Sequence, residues 1–188
     1  MGTRGVWGFY KNGKTYATYN HYDSYPTGLG ETIKNFVLRN PKEKIENLVN
    51  ELYLVEEDGV PSTKEVELLQ KYNNENVNEG KLQWYNLLRE TQGNPQAYID
   101  DENLRAFINS EEFLKNSLFC EWAYIINLDE EVLEIYRGFV TNPPQNSRYY
   151  DDSNPHTTNG YYPVEMVEKV SFNELKNFSM EKFENNVE

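Results

Sequence analysis

An Asn-Gly pair at Asn12-Gly13 divides the start of the chain into two short runs that are rich in aromatic residues. These flanking runs are Thr3–Tyr10 and Thr15–Asn20. Asn-Gly favours the positive φ angles of a two-residue β-turn, and aromatic and β-branched side chains favour strands. The segment therefore predicts a β-hairpin, which points to an antiparallel sheet.

A second hairpin is predicted by the runs Cys120–Leu128 and Val132–Phe139, which flank three acidic residues. Apolar residues occupy consecutive positions near its middle, so we expect both of its faces to be buried. Tyr161–Ser171 is a candidate final strand. The fold class expected is α+β, with a mostly antiparallel sheet built from two hairpins and a C-terminal strand, and a helical middle segment packed on it.

Helical patterns fill most of the region between the hairpins. A helix is expected over about Glu31–Leu38 after a loop over Asn20–Gly30, and another after the cap Asn40-Pro41. Ser62 and Glu65 have the spacing of a capping box. Further predicted helices are marked by Leu82, Tyr85 and Leu88; by Leu104, Phe107 and Ile108; by Phe113, Leu114 and Leu118; and by Phe172–Glu184.

The length of 188 residues is typical of a single domain with a substantial core. Mean hydropathy is low at −0.83, but aromatics make up 14% of the chain, which favours folding over disorder. Cys120 is the single cysteine, so an intrachain disulfide is excluded and a cytoplasmic location is expected. No apolar run is long enough to span a membrane, and we expect no membrane partner.

Charge is distributed unevenly along the chain. Five basic and two acidic side chains give residues 1–40 a net charge of +3, whereas the whole chain carries −13. A basic segment in an acidic protein indicates a site for a small anionic ligand. Binding to nucleic acid is not expected, since it needs clustered Lys and Arg.

Polar and aromatic residues of the N-terminal segment are the candidate ligand-binding residues. Arg4 would supply a planar cationic fork, the glycines before the first helix would offer backbone N–H groups, and the long loop Thr141–Gly160 would close over the ligand. The alternative is a loop held by its own Asn, Asp and Ser hydrogen bonds. The candidate residues are Arg4, Asn20, His21, Tyr22, Asp23, Tyr25, Gly28, Gly30, Arg148 and Tyr149.

The spacing of the Ser, His and Asp residues gives little support to a catalytic or a metal-binding site. Ser24 and His21 are too close in sequence to form a triad with Asp23. His156 lies near two aspartates, but without a recognised metal-binding spacing. We therefore expect no catalytic residue, no metal and no cofactor.

Two segments together resemble a family of small uncharacterised proteins from bacteria and their phages. They are residues 3–30, which begin TRGVWGF and end TYNHYDSYPTGLG, and residues 120–139, CEWAYIINLDEEVLEIYRGF. A looser similarity runs to N-terminal-nucleophile hydrolases of the choloylglycine and acyltransferase type, in which Asn20-His21-Tyr22-Asp23 would match a segment that orients the nucleophile. Removal of Met1 here leaves Gly2, which has no nucleophilic side chain.

Three function classes remain open on the sequence. The first is a non-catalytic small-molecule binder, a phage-type protein with an anti-defence role that sequesters an anionic signalling nucleotide. The second is an amidohydrolase on an N-terminal-nucleophile-like scaffold, and the third is an acidic protein-binding or decoy protein. The basic segment and its tyrosines favour the first. A homo-oligomer is expected if a neighbouring subunit contributes the Thr141–Gly160 loop.

Overall fold

A computed structural model describes residues 2–153, 155 and 157–187. Within them, five strands form one sheet in the order β2-β1-β5-β6-β7, and β3 pairs with β4 separately. The strands are Gly5–Lys11 (β1), Lys14–Asn20 (β2), Tyr53–Val55 (β3), Ala106–Ile108 (β4), Trp122–Asn127 (β5), Val132–Arg137 (β6) and Glu165–Ser171 (β7).

The α-helices occur mostly between β2 and β5 and after β7. They are Glu31–Arg39 (α1), Lys42–Glu51 (α2), Thr63–Leu69 (α3), Trp84–Leu87 (α4), Gln96–Asp100 (α5), Phe172–Leu175 (α6) and Met180–Val187 (α7). In the described part of the chain, none of the helices is both long and apolar enough to cross a membrane.

The N-terminal hairpin is confirmed, with its turn at the predicted Asn-Gly pair. Asn12 and Gly13 have φ angles of 51° and 76°, as a tight hairpin turn requires. Asp129 of the second hairpin accepts hydrogen bonds from both backbone N–H groups, at 2.8 and 3.3 Å. The two hairpin turns therefore lie side by side.

The two hairpins join through their first strands. β1 pairs with β5 in parallel, with Gly5 opposite Trp122, while the other pairings of this sheet are antiparallel. The expected fold class, α+β with a mostly antiparallel sheet, is confirmed.

The sheet is buried on both faces, which we call the helical face and the loop face. On the helical face, Trp7 meets Phe107 edge to face at 5.3 Å, within a core that includes residues of α1, α2, α5 and α7. On the loop face, Val6 and Ile125 pack with two residues from outside the sheet. These are Leu114, in the 3₁₀ helix Glu111–Lys115, and Val164, just before β7.

Some local predictions were wrong. The run at Leu104–Ile108 is not a helix; Ala106–Ile108 forms β4, because parallel pairing with β3 overrides a pattern too short to define its period. The predicted loop before α1 ends in a π-helical turn, Pro26–Gly30. The C-terminal helix is divided into α6 and α7, and Ser179 accepts a hydrogen bond from the Lys182 N–H at the start of α7. The capping box of Ser62 and Glu65 is confirmed.

Candidate functional site

A cavity of about 820 Å³ opens on the loop face, near the start of β1 and the end of β2. Its wall combines one arginine, four carboxylates, four aromatic rings and a set of amides. The lining residues are Arg4, Tyr19, Glu56, Glu57, Asp58, Asn78, Gln83, Tyr85, Asn109, Ser110, Glu112, Phe113, Asn116 and Phe119.

Arg4 is held at the cavity by its backbone. Its carbonyl accepts a hydrogen bond from the Glu121 N–H at 3.0 Å, and its own N–H donates to Glu121 Oε1 at 3.3 Å. The guanidinium lies 4.8 Å from the centre of the Phe119 ring. Among the described residues this guanidinium forms no ion pair and no hydrogen bond, so its five donors are available to a ligand.

Tyr19 lies on β2, opposite Val6 of β1, and its ring forms part of the cavity wall. The ring contacts Phe113 edge to face at 5.2 Å and lies 6.5 Å from Tyr85. Burial, aided by Tyr85 and opposed by Arg4, raises the Tyr19 pKa to about 12. The phenol therefore stays protonated and can donate a hydrogen bond.

His21 accompanies Tyr19 without lining the cavity. Its Nδ1 is 2.6 Å from the Tyr19 hydroxyl, and its backbone N–H donates to Gln92 Oε1 at 3.0 Å. Burial lowers the His21 pKa below 6.5, and the positive charges of Arg89 and Arg4 lower it further. The neutral imidazole is therefore favoured, and the direction of its hydrogen bond with the phenol depends on the tautomer of the ring.

Most of the charged side chains in the cavity lining are acidic. Glu56, Glu57 and Asp58 form a turn after β3, and this turn is tied to α4 because the Glu57 carbonyl accepts a hydrogen bond from the Tyr85 N–H at 2.9 Å. Glu112 adds a fourth carboxylate from the 3₁₀ helix Glu111–Lys115. The cavity lining thus combines one cation with four carboxylate acceptors.

An unsatisfied amide oxygen adds to this polar lining. Asn116 Oδ1 is buried and has no hydrogen-bond partner within the described residues. Because this oxygen is shut off from solvent, the Asn116 side chain would have to turn toward the cavity before a ligand could donate to it.

The loop that follows β2 is pinned by its own hydrogen bonds. Asn20 is buried and donates to the Tyr22 carbonyl at 2.6 Å and to Ser24 Oγ at 2.8 Å. The Ser24 N–H donates to the Thr3 carbonyl at 3.1 Å. The loop therefore lies beside the strand that carries Arg4, but Asn20 has a structural role there.

The aromatic and acidic residues of the same loop lie outside the cavity lining. Tyr22 is 58% exposed, with the Arg89 guanidinium 5.4 Å from the centre of its ring. Asp23 is exposed at φ 52°, and its carbonyl accepts from the Leu29 N–H at 2.8 Å. Tyr25 is half-buried against the helical-face core.

The glycines before α1 serve close packing. A Cβ on Gly28 would lie 2.2 Å from the Asp23 carbonyl oxygen, and one on Gly30 would lie 2.8 Å from the Tyr124 ring. The N–H groups of both glycines already donate to the Tyr25 carbonyl. The backbone donors expected to bind an anion are thus engaged within the protein.

Arg148 and Tyr149 lie at the other end of the loop face. The Arg148 guanidinium is 3.7 Å from the centre of the Tyr10 ring, and Tyr10 is six residues along the chain from Arg4, roughly 20 Å at about 3.3 Å per residue. Tyr149 is buried, 3.4 Å from the Thr15 hydroxyl. The structure therefore does not bring Arg148 and Tyr149 together with Arg4.

The alternatives that involve nucleophiles and metals gain no support from the geometry. Ser24 is fully buried, and its Oγ contacts Asn20 rather than His21. Cys120 is also fully buried, and burial raises the pKa of its thiol. Among the described residues, no group of three or more His, Cys, Asp and Glu side chains could hold a metal ion. His156 lies outside the described residues.

Sequence reasoning missed most of the cavity wall. Glu57, Tyr85, Phe113 and Phe119 come from three segments that are distant in sequence from Arg4. One available signal was the polar stretch Asn73–Gly80, which comes shortly before the aromatic pair Trp84-Tyr85. Such breaks in a helical region are typical of binding loops.

No family model, curated protein or solved structure matches this chain. Its function therefore has to be argued from the chemistry of the cavity.

Proposed function

We propose that this protein binds a small molecule in the cavity between Arg4 and Tyr19, with an anionic group of the ligand at Arg4, and releases it chemically unchanged. A nucleotide of the signalling type is the ligand class we propose, in a phage-type sequestering role. The observation that carries the proposal is the Arg4 guanidinium, which lines the cavity of an acidic protein and has no ion-pair partner among the described residues.

The size and wall of the cavity suit such a ligand. Small-molecule pockets are usually about 300–1,000 Å³ and combine aromatic surface with a few polar groups. The cavity has about 820 Å³, and Tyr19, Tyr85, Phe113 and Phe119 offer ring faces or edges. A base or another flat group can stack there, while the guanidinium holds the anion.

Binding without turnover is supported by what surrounds the site. Ser24 and Cys120 are buried and do not line the cavity, and the Oγ of Ser110, which does line it, accepts a hydrogen bond from the Tyr19 N–H at 3.1 Å and has no histidine partner within the described residues. The phenol of Tyr19 has a raised pKa, which makes it a poor general base at neutral pH. The amidohydrolase and the acidic decoy remain alternatives that the experiment below can detect.

A thermal-shift screen against nucleotides and cyclic nucleotides tests the proposal. At least one nucleotide should raise the midpoint of unfolding, and mass spectrometry after heat release should recover it unchanged at one equivalent per protein. Recovery of more than one equivalent of a cleaved product would support the hydrolase instead. Stabilisation by a protein partner, with no response to nucleotides, would support the decoy.

A further inference from the structure

The cavity lining carries charges of both signs. Arg4 is the one cation among the described residues that line it, whereas Glu56, Glu57, Asp58 and Glu112 supply four carboxylates, of which Glu112 is paired with Lys115 at 2.8 Å. A cavity selective for polyanions would place several cations around the ligand. The lining therefore restricts which anionic molecules can fit.

Tyr19 lies near charges of both signs. After burial and Tyr85, the charges of Arg4 and Arg89 lower the Tyr19 pKa, and the charge of Glu57 raises it. One side chain thus lies within electrostatic range of both the cation and the carboxylate. A ligand that covers the Tyr19 ring will also lie within range of both.

Carboxylates accept hydrogen bonds and do not donate them at neutral pH. Glu56, Glu57 and Asp58 are exposed in the free protein, and their side chains make no hydrogen bond or ion pair within the described residues. A bound ligand therefore meets free acceptors there, which attract amine and hydroxyl groups and repel a second anionic group.

We infer that the ligand is dipolar, with a single anionic group at Arg4 and amine or hydroxyl donors toward Glu56, Glu57 and Asp58. The inference rests on the proposed function and narrows its ligand class. A nucleoside monophosphate satisfies it, since the phosphate is at one end and the sugar hydroxyls and base amine are at the other. A nucleoside triphosphate does not, because the described lining offers its additional phosphates no second cation and several carboxylates.

Calorimetric titrations with adenosine, adenosine monophosphate and adenosine triphosphate test the inference at constant ionic strength without divalent cations. The monophosphate should bind at least about tenfold more tightly than either of the others. Equal or tighter binding of the triphosphate would overturn the inference and leave the proposed function standing. Failure of nucleotides of every kind in the broader thermal-shift screen would refute the proposed function and the inference together.

Glu57→Gln removes one carboxylate and keeps the size of the side chain. The preference for monophosphate over triphosphate should fall by about threefold, since one repulsive charge is lost. Glu67→Gln is the matched control, because Glu67 is exposed on α3 and does not line the cavity. An unchanged preference in the Glu57 variant would contradict the inference even if both variants fold normally.

Discussion

Tyr19 and His21 connect strand β2 to the loop that follows it. Their side chains are 2.6 Å apart, and the guanidinium groups of Arg4 and Arg89 are close enough to lower the His21 pKa. Tyr22 packs against the imidazole with ring centres 4.3 Å apart. The native state therefore favours a neutral histidine at this position.

We expect His21 to make the protein less stable in mild acid. Because its pKa is lowered by folding, the unfolded chain binds more protons between that lowered pKa and about 6.5. The free energy of unfolding should therefore fall as pH drops below about 6.5 and should be unaffected by His21 above it. Urea unfolding from pH 7.5 to 5 would measure this, and His21→Gln should flatten the slope. An identical slope in the variant would show that the imidazole is not coupled to folding.

Trp122 is a test of core packing at a single residue. Its ring is 8% exposed and meets Phe183 of α7 at 6.2 Å. Trp122→Ala should lower the free energy of unfolding by about 3–5 kcal/mol, because it removes a large buried ring and leaves a cavity. Val60→Ala, at a position that is 76% exposed, should change the stability by less than about 0.5 kcal/mol. Similar values for the two variants in chemical denaturation would refute this packing.

At the scale of elements, an ion pair fastens the segment after β6 to the sheet. Glu134 of β6 is fully buried, and its two carboxylate oxygens accept hydrogen bonds from the two terminal guanidinium nitrogens of Arg148, each at 2.6 Å. Asn127 and the Tyr136 hydroxyl donate to it at 2.9 and 2.8 Å. Burial alone would raise the Glu134 pKa, but these hydrogen bonds hold it below its ordinary value.

Arg148→Met should cost about 3–5 kcal/mol of stability, because it leaves the Glu134 carboxylate buried without its cation. The double variant Arg148→Met, Glu134→Gln should recover part of that loss, since no buried charge then remains. Chemical denaturation of the two variants provides the comparison. A double variant that is less stable than the single one would show that the charge is not the cause. Binding at the Arg4 cavity should persist in the folded double variant, because Arg148 lies far from it.

The sequence predicted those elements whose signals are local. The turn at Asn12-Gly13, both hairpins and the Ser62 capping box depend on neighbouring residues, and all are present. The parallel pairing of β1 with β5 and the strand Ala106–Ile108 depend on residues far apart in the chain. Such long-range pairing leaves no periodic signal in a short segment.

The sequence likewise predicted only part of the candidate site, because most of its residues are far apart in the chain. Arg4 was predicted as the cationic anchor from the basic N-terminal segment, and it does line the cavity. The predicted lid residues Arg148 and Tyr149 instead satisfy buried groups at the other end of the loop face. Residues such as Glu57 and Phe119 enter the cavity through tertiary packing, which the order of residues alone does not specify.

For the whole molecule, the main electrostatic contrast is the Arg4 guanidinium, which lines the cavity without an ion-pair partner among the described residues, in a chain of net charge −13. The overall negative charge should slow the approach of anions, and added salt should screen that repulsion along with the attraction at Arg4. Selective binding of an anion to this protein therefore requires a local cation, and the structure places Arg4 at the cavity.

The most direct test is a calorimetric titration of one nucleotide, the best stabiliser in the thermal-shift screen, into three proteins: the wild type, Arg4→Gln and Arg39→Gln. Arg39 is an exposed arginine at the end of α1, outside the cavity lining, and serves as the control. Arg4→Gln should weaken binding at least about tenfold, as expected for a lost charge-assisted hydrogen bond worth about 1.5–3 kcal/mol, whereas Arg39→Gln should match the wild type. Equal affinity in all three proteins would contradict the assignment of the Arg4 cavity as the binding site.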